Sequence, residues 1–178
     1  IKGLAQFGEI LRQQDSDINA LSNHLVLELN KYMNSNQGAL YLINDEIQGD
    51  DALELLACYA WDRKKFHDQR IRMGEGLIGQ CWQEAATIFV TDVPNDFVKI
   101  TSGLGEANPT SILIVPLKTN DEVFGVLELA AFHAFEPHEI VFVEKLTESI
   151  ASTLKSVKTN EITRRLLEES NQQKEEML

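Results

Sequence analysis

The C-terminal segment, from Pro137 to Leu178, contains no glycine and no second proline, so nothing within it stops a helix once it has begun. We predict one helix of about 40 residues and roughly 60 Å, which a single small domain cannot cover along its whole length. Apolar residues recur three or four apart through its first half and then thin out among Glu, Gln, Arg and Lys. The first group is Val143, Leu146, Ile150, Leu154 and Val157, and the second is Ile162, Leu166, Leu167 and Met177.

The second half of this helix is predicted to pack against a partner, because an isolated helix of this kind is only marginally stable in water. A second copy of the chain would supply that partner in a coiled-coil-like pair. The chain starts at Ile1 and ends inside the helical pattern, so we expect it to be part of a longer protein whose output module follows.

Composition narrows the class of protein. With 178 residues, 43% of them hydrophobic, the chain has enough material for one sizeable core. Its formal net charge of −12 disfavours nucleic acid and anionic membrane surfaces as partners. No apolar run is long enough to span a bilayer. The two cysteines, Cys58 and Cys81, are interpreted as free thiols, which together with solubility predicts a cytoplasmic location.

The pattern of apolar residues and turn signals predicts an α+β domain. Asp15 to Asp17 separates the first two helices and offers a cap to the second. Predicted helices cover residues 4–11 and 18–29, and a glycine-bearing loop from Met73 leads into a short helix that ends near Ala85. A helical turn is predicted at Asp96–Thr101, and the long helix begins at Pro137. Predicted strands cover residues 39–43, 53–61, 71–73, 87–91, 111–117 and 123–131, the last two joined as a hairpin through Lys118–Glu122.

The order of these predicted elements resembles that of GAF domains, and so do three local segments: Met73–Gly79, Ile114–Leu117 and Val123–Leu129. Phe135 and Glu139 then begin the closing helix as they do in that family. The similarity extends over roughly residues 21–157. It implies a GAF/PAS-like antiparallel central sheet flanked by helices, with N- and C-terminal helices packed on one face, a pocket on the other, and a long C-terminal signalling helix. The corresponding domain division is a linker or dimerisation helix at 1–16, a GAF-like sensor domain at 17–158, and the start of an output helix at 159–178.

The same resemblance implies where a ligand pocket would lie. Its walls would be Trp61, Cys81, Trp82, Phe97 and Ser111, a mostly apolar set suited to a small aromatic or amphipathic ligand. These side chains could equally fill the cavity themselves. Glu128 interrupts an apolar strand, and by alternation we expect it to share a face with Phe124, Val126 and Ala130. Its carboxylate would be tied to a backbone, Lys or Arg group, or would contact a ligand.

The sequence lacks most of the residues that define the ligand-binding and enzymatic branches of the GAF family. Cyclic-nucleotide-binding GAF domains carry Asn, Lys and Asp where this chain has Ala131, Phe132 and His138. The free methionine sulfoxide reductases use cysteines in the glycine-bearing loop and the long connection, and neither Cys58 nor Cys81 lies there. Bilin attachment uses a Cys commonly followed by His, whereas Trp82 follows Cys81 here. The four histidines are scattered rather than spaced as metal ligands.

These observations predict a non-catalytic regulatory domain of a multidomain signalling protein, such as a sensor kinase of a two-component system or a chemoreceptor-like protein. It would form a homodimer through its N- and C-terminal helices, bind an unidentified small molecule, and drive a covalently linked output domain. One alternative is a purely structural dimerisation module with a filled pocket. Another is a thiol enzyme of the free methionine sulfoxide reductase type acting through Cys58 and Cys81.

Overall fold

Two helices open the fold, as the apolar spacing predicts. The computed structural model describes residues 2–13, 17–60, 70–93, 100–102 and 105–177, with backbone alone for the short strands between 100 and 107. Helix α1 spans Lys2–Arg12 and α2 spans Ile18–Met33. Asp17 caps α2, since its Oδ1 accepts a hydrogen bond from the backbone N–H of Asn19 at 2.9 Å. The predicted cap is therefore confirmed.

Eight strands and two further helices follow. The main sheet is antiparallel throughout, in the order β3-β2-β1-β8-β7-β4, and β5 and β6 form a separate pair. The helices are α3 (Gly76–Glu84) and α4 (Pro137–Glu176). The strands are β1 (Gln37–Asn44), β2 (Ala52–Tyr59), β3 (Arg70–Ile71), β4 (Ile88–Val90), β5 (Ile100–Ser102), β6 (Gly105–Ala107), β7 (Ser111–Thr119) and β8 (Glu122–Ala131).

The hairpin between β7 and β8 is tighter than expected. The predicted connection Lys118–Glu122 is reduced to Asn120 and Asp121, with φ values of 51° and 67°. Asn and Asp tolerate this left-handed backbone better than other non-glycine residues, and such turns match the twist of paired strands. The hairpin therefore holds β7 and β8 in register nearly to their ends.

Two predictions differ from the structure. The helical turn predicted at Asp96–Thr101 is wrong for Ile100 and Thr101, which lie in β5, while residues 94–99 fall outside the described part of the chain. Phe124 does not share the face of Val126, because a register shift between Leu117 and Lys118 reverses the alternation there. Phe124 instead packs with the helices on the opposite face.

The sheet separates two apolar clusters. Helices α1, α2 and α4 cover one face, with α2 over β1 and β2 and α4 over β7 and β8. The opposite face packs against α3. The N- and C-terminal helices thus lie on one side of the sheet, and the second side is left for a site.

Helix α4 spans 40 residues, as predicted. Pro137 is at its first turn, and Glu136 and Glu139 form a reciprocal capping box. One face of the helix is buried as far as Val157, after which nearly all side chains are exposed, through to Met177. The helix therefore begins as part of the core and continues beyond it.

Candidate functional site

The face of the sheet that packs against α3 carries the candidate site. Strands β1, β8 and β7 present mainly apolar side chains there, and α3 closes over them. Among the polar exceptions, Glu128 lies on β8 in the middle of the sheet. The apolar cluster consists of Ala39, Tyr41, Leu53, Ile71, Ile78, Cys81, Trp82, Ile112, Ile114, Val126 and Ala130.

Helix α3 is brought onto the sheet by a glycine-bearing turn. Gly74 and Gly76 adopt φ values of 85° and 61°, which favour glycine over residues with a side chain. At Gly79 a Cβ atom would collide with the backbone oxygen of Arg72. The Glu75 carboxylate accepts a hydrogen bond from the backbone N–H of Arg72 at 2.9 Å and so closes the turn. These contacts seat Cys81 and the segment around it against the strands.

Within the described part of the chain, Glu128 has a carboxyl oxygen, Oε1, without a hydrogen-bond partner. It lies opposite Ala39 of β1 and Ile114 of β7, and its side chain is only 2% exposed. Its Oε1 atom is buried and accepts no hydrogen bond. An unpaired buried carboxyl group costs several kcal/mol when ionised, in order-of-magnitude terms, so it is an unusual residue to retain in a core strand.

Burial also changes the acidity of this cluster. Desolvation raises the pKa of Glu128 to about 8, so the carboxyl is largely neutral at pH 7. The pKa of Tyr41 is raised by burial first and then by Glu128 and Cys58, which places those groups near its hydroxyl. The pKa of the Cys81 thiol is raised to about 12, again chiefly by burial. The face is thus mostly apolar and holds several neutral polar groups.

The predicted site residues separate into three groups. Cys81, Trp82 and Glu128 are brought together on the α3 face. Ser111 is not with them: it shares a face with Leu113, and its Oγ donates a hydrogen bond to the backbone oxygen of His133 at 2.6 Å. Trp61 and Phe97 lie outside the described residues.

Two site residues were missed by sequence reasoning. Tyr41 lies within a continuous apolar run, in which alternation gives no sign of which face a residue takes. Cys58, interpreted from the sequence only as a free thiol, pairs with Ala39 and so joins the row that also contains Glu128. Both residues follow from the pairing of the strands on either side of Glu128, but the sequence alone does not fix the register of that pairing.

A surface groove of about 440 Å³ adjoins the rim of this site. Trp82 lines it, so this one side chain belongs both to the buried cluster and to the groove. Lys158 of α4 reaches the same groove, donates a hydrogen bond to the backbone oxygen of Ile43 at 3.3 Å, and lies 5.8 Å from the ring centroid of Phe124. The lining also contains four acidic residues: Asp45, Asp51, Asp121 and Glu122.

Two other kinds of site find no support within the described residues. No group of three or more His, Cys, Asp or Glu side chains there is arranged to hold a metal ion. None of the described helices combines the length and apolar character needed to cross a bilayer.

The fold agrees with the family comparison. A family model described as GAF domain matches residues 15–155. The chain belongs to the GAF domain family. The resemblance inferred from the glycine-bearing turn and the last hairpin is therefore confirmed, as is the α+β architecture. A comparison with curated protein sequences gives no match.

Solved structures resemble this GAF domain over most of its length. The GAF domain of a phosphoenolpyruvate-protein phosphotransferase from Coxiella burnetii has a TM-score of 0.69 at 22% identity, covering 89% of this chain and 98% of its own. Its counterpart from Acinetobacter has a TM-score of 0.70 at 15% identity, covering 89% and 95%. Free methionine-R-sulfoxide reductase from Neisseria meningitidis, in complex with its substrate, has a TM-score of 0.67 at 20% identity, covering 88% and 89%. At such identities the likeness establishes the fold alone.

Proposed function

We propose that this GAF domain is a non-catalytic sensory module that binds a small molecule on its α3 face and passes the signal through α4 in a homodimer. A regulatory or sensory role is what membership of the family supports. The observation that carries the proposal is α4, because it is rooted in the core at one end and exposes apolar side chains beyond the domain at the other.

The exposed half of α4 is suited to pairing with a second copy. Ile162, Leu166 and Leu167 are 40%, 57% and 61% exposed, well past the last buried residue, Val157. Ile162 and Leu166 are one helical turn apart and share a face. Pairing this face with its own copy buries apolar surface and supports a helix segment that has little else to stabilise it.

The domain offers a physical route from the α3 face to α4. Glu128 faces the site, while its neighbours Leu127 and Leu129 on β8 point to the opposite face and belong to the core that contains α4. A ligand that displaces β8 would therefore alter the packing beneath α4. Three further contacts fix the middle of the helix: Lys158 to Ile43, Lys155 to Thr119 at 3.5 Å, and Glu161 to the backbone N–H of Ile18 at 3.3 Å.

Helix α1 is joined to the same bundle through aromatic rings. Tyr32 and Phe142 have ring centroids 4.9 Å apart, and Phe7 of α1 packs against both, at 5.8 and 6.2 Å. A Cβ atom at Gly3 would collide with the Tyr32 and Phe142 side chains, so α1 lies close against them. This packing supports a dimer interface that includes the N-terminal helix as well as α4.

The two alternatives are less well supported. A thiol enzyme needs a reactive thiolate, yet the raised pKa of Cys81 leaves almost no thiolate at neutral pH. A purely structural module with a filled pocket gives no reason for an unpartnered carboxyl group in the core. We therefore favour a ligand-responsive module with a cytoplasmic output domain attached to α4.

Sedimentation velocity tests the helix pairing. We expect the wild-type chain to be a dimer at high micromolar concentration and the variant Ile162→Asp/Leu166→Asp to be a monomer, because two buried charges would separate the helices. The matched control is Asn160→Asp/Asn171→Asp, which adds the same charge on the other side of the helix and should remain a dimer. A monomeric wild type, or equal behaviour of the two variants, would refute pairing through this face.

A further inference from the structure

We propose that the α3-face site selects ligands carrying a protonated amine, with Glu128 accepting hydrogen bonds from the ammonium group after releasing its own proton to solvent. This inference rests on the proposed function, since it specifies the ligand class of the same site. Four observations carry it: the central position of Glu128, its lack of a partner, the absence of any cation facing it among the described residues, and the apolar walls around it.

The position of Glu128 prevents it from reaching bulk water. Strand β8 lies between β1 and β7, so the residue is at the middle of a six-stranded sheet rather than at an edge. Ala39 across β1 and Ala130 two residues along β8 bring only a methyl group each. The side chains directly beside Glu128 in the sheet are therefore short or apolar and offer its carboxyl group no hydrogen bond.

No described residue provides a balancing positive charge. The titratable groups on this face are Tyr41 on β1, Cys58 on β2 and Cys81 on α3, and the Lys118 ammonium acts on the pKa of Cys81 but not on that of Glu128. Strand β7 contributes Ile112 and Ile114 to the same face. Burial alone raises the Glu128 pKa, with no positive group lowering it.

These conditions favour a cationic ligand over an anionic one. An ammonium group brought beside the carboxyl would form a charge-assisted hydrogen bond in a region of low dielectric, where such bonds are strong. The neutral acid of the free protein would lose its proton as the pair forms. Since the ammonium keeps all its hydrogens, the balance is one cation bound and one proton released to the buffer.

The walls of the site indicate the rest of the ligand. Ile78, Trp82 and Val126 belong to the apolar cluster on the same face of the sheet as Glu128 and supply aliphatic and aromatic surface there. An amine attached to an aromatic or branched apolar group would fill such a site, while a small hydrated cation would leave it uncovered. The inferred class is therefore an arylalkyl or alkyl ammonium compound.

Isothermal titration calorimetry with paired probes tests the inference. The probes are benzylamine, phenethylamine and tryptamine, each matched with the alcohol in which a hydroxyl replaces the amine. At pH 7 we expect at least one amine to bind roughly tenfold or more tightly than its alcohol, since hydrogen bonds to charged groups are the stronger kind. Comparing phosphate with Tris buffer, whose ionisation enthalpies differ, should show release of about one proton per amine bound.

Two variants distinguish the role of the Glu128 carboxyl group from the effect of a Glu→Gln substitution elsewhere in the domain. Glu128→Gln should lose both the preference for the amine and the proton release. Glu148→Gln makes the same substitution at an exposed position of α4, away from this face, and should keep both. Carbon-13 NMR of the wild-type Glu128 carboxyl gives a readout that does not depend on either variant folding: at pH 7 its signal should move from the acid to the carboxylate position when the amine is added.

Each contrary outcome has a distinct meaning. Equal binding of amines and alcohols without proton release would overturn the selection for ammonium and leave the sensory function in place. Failure of every amine to bind, or a Glu128 carboxyl signal that does not move on binding, would also overturn it. The proposed signalling dimer fails separately, on the sedimentation result.

Discussion

Replacing Glu128 with Gln should change how the stability of this domain depends on pH. Below about pH 4.5 the carboxyl is protonated in the folded and unfolded chains alike, so its ionisation has no effect on the free energy of unfolding. Between about pH 4.5 and 8 the unfolded chain releases the proton and the folded chain retains it, so that free energy falls by about 1.4 kcal/mol per pH unit. Above about pH 8 both states are ionised and the fall ends.

The magnitude at pH 7 follows from this interval. Roughly 2.5 pH units of unequal proton binding correspond to a loss of about 3 kcal/mol in wild-type stability, relative to acidic solution. Glu128→Gln keeps the shape of the side chain but cannot ionise. Its stability relative to wild type should therefore rise by about 3 kcal/mol from pH 4.5 to pH 7, whatever constant offset the amide introduces.

Urea denaturation followed by circular dichroism measures this difference. Subtracting the wild-type free energy of unfolding from that of the variant at each pH cancels the contributions of the other titrating groups, which are common to both proteins. Glu122→Gln serves as the control, because it makes the same substitution at an exposed position of the same strand. A Glu128→Gln difference that does not change between about pH 5 and 8 would refute the isolation of this carboxyl group.

Two further substitutions test the packing that positions the site. Leu154→Ala removes a fully buried side chain from α4 and should lower the free energy of unfolding by about 2–5 kcal/mol. The control Ile47→Ala, at a position that is 55% exposed, should change that free energy by less than about 1 kcal/mol. Similar losses for the two variants in urea denaturation would contradict the assignment of Leu154 to the core. Gly125→Ala places a Cβ atom against the backbone oxygen of Tyr41 and should lower the midpoint of thermal unfolding. Gly8→Ala, at an open helix position, should leave this midpoint unchanged or raise it. An unchanged midpoint for Gly125→Ala would show that β1 and β8 are less closely paired.

Several elements could be read from the sequence because their signals are local. The spacing from Val143 to Val157 predicts α4, and Pro137 marks its start. The turn containing Gly74 and Gly76 requires backbone conformations that few other residues adopt, which explains why this segment identifies the family as well as the fold.

The candidate site was only partly predictable, since strand residues change face wherever the register shifts. A shift between Leu117 and Lys118 moves Phe124 away from Glu128, and another between Leu40 and Tyr41 alters the alternation of β2. Ser111 lies on the helix side of the sheet for the same kind of reason: facing depends on pairing, here with Ala131.

The sequence by itself determined the α+β class, the family and the long closing helix, because helix periodicity, caps and turns depend on residues close together in the chain. Only the tertiary structure decided that the Oε1 atom of Glu128 has no hydrogen-bond partner among the described residues. A carboxyl group is satisfied or isolated according to what other strands and helices bring to it, and in this domain they bring Ala39, Ile114 and α3 rather than a cation.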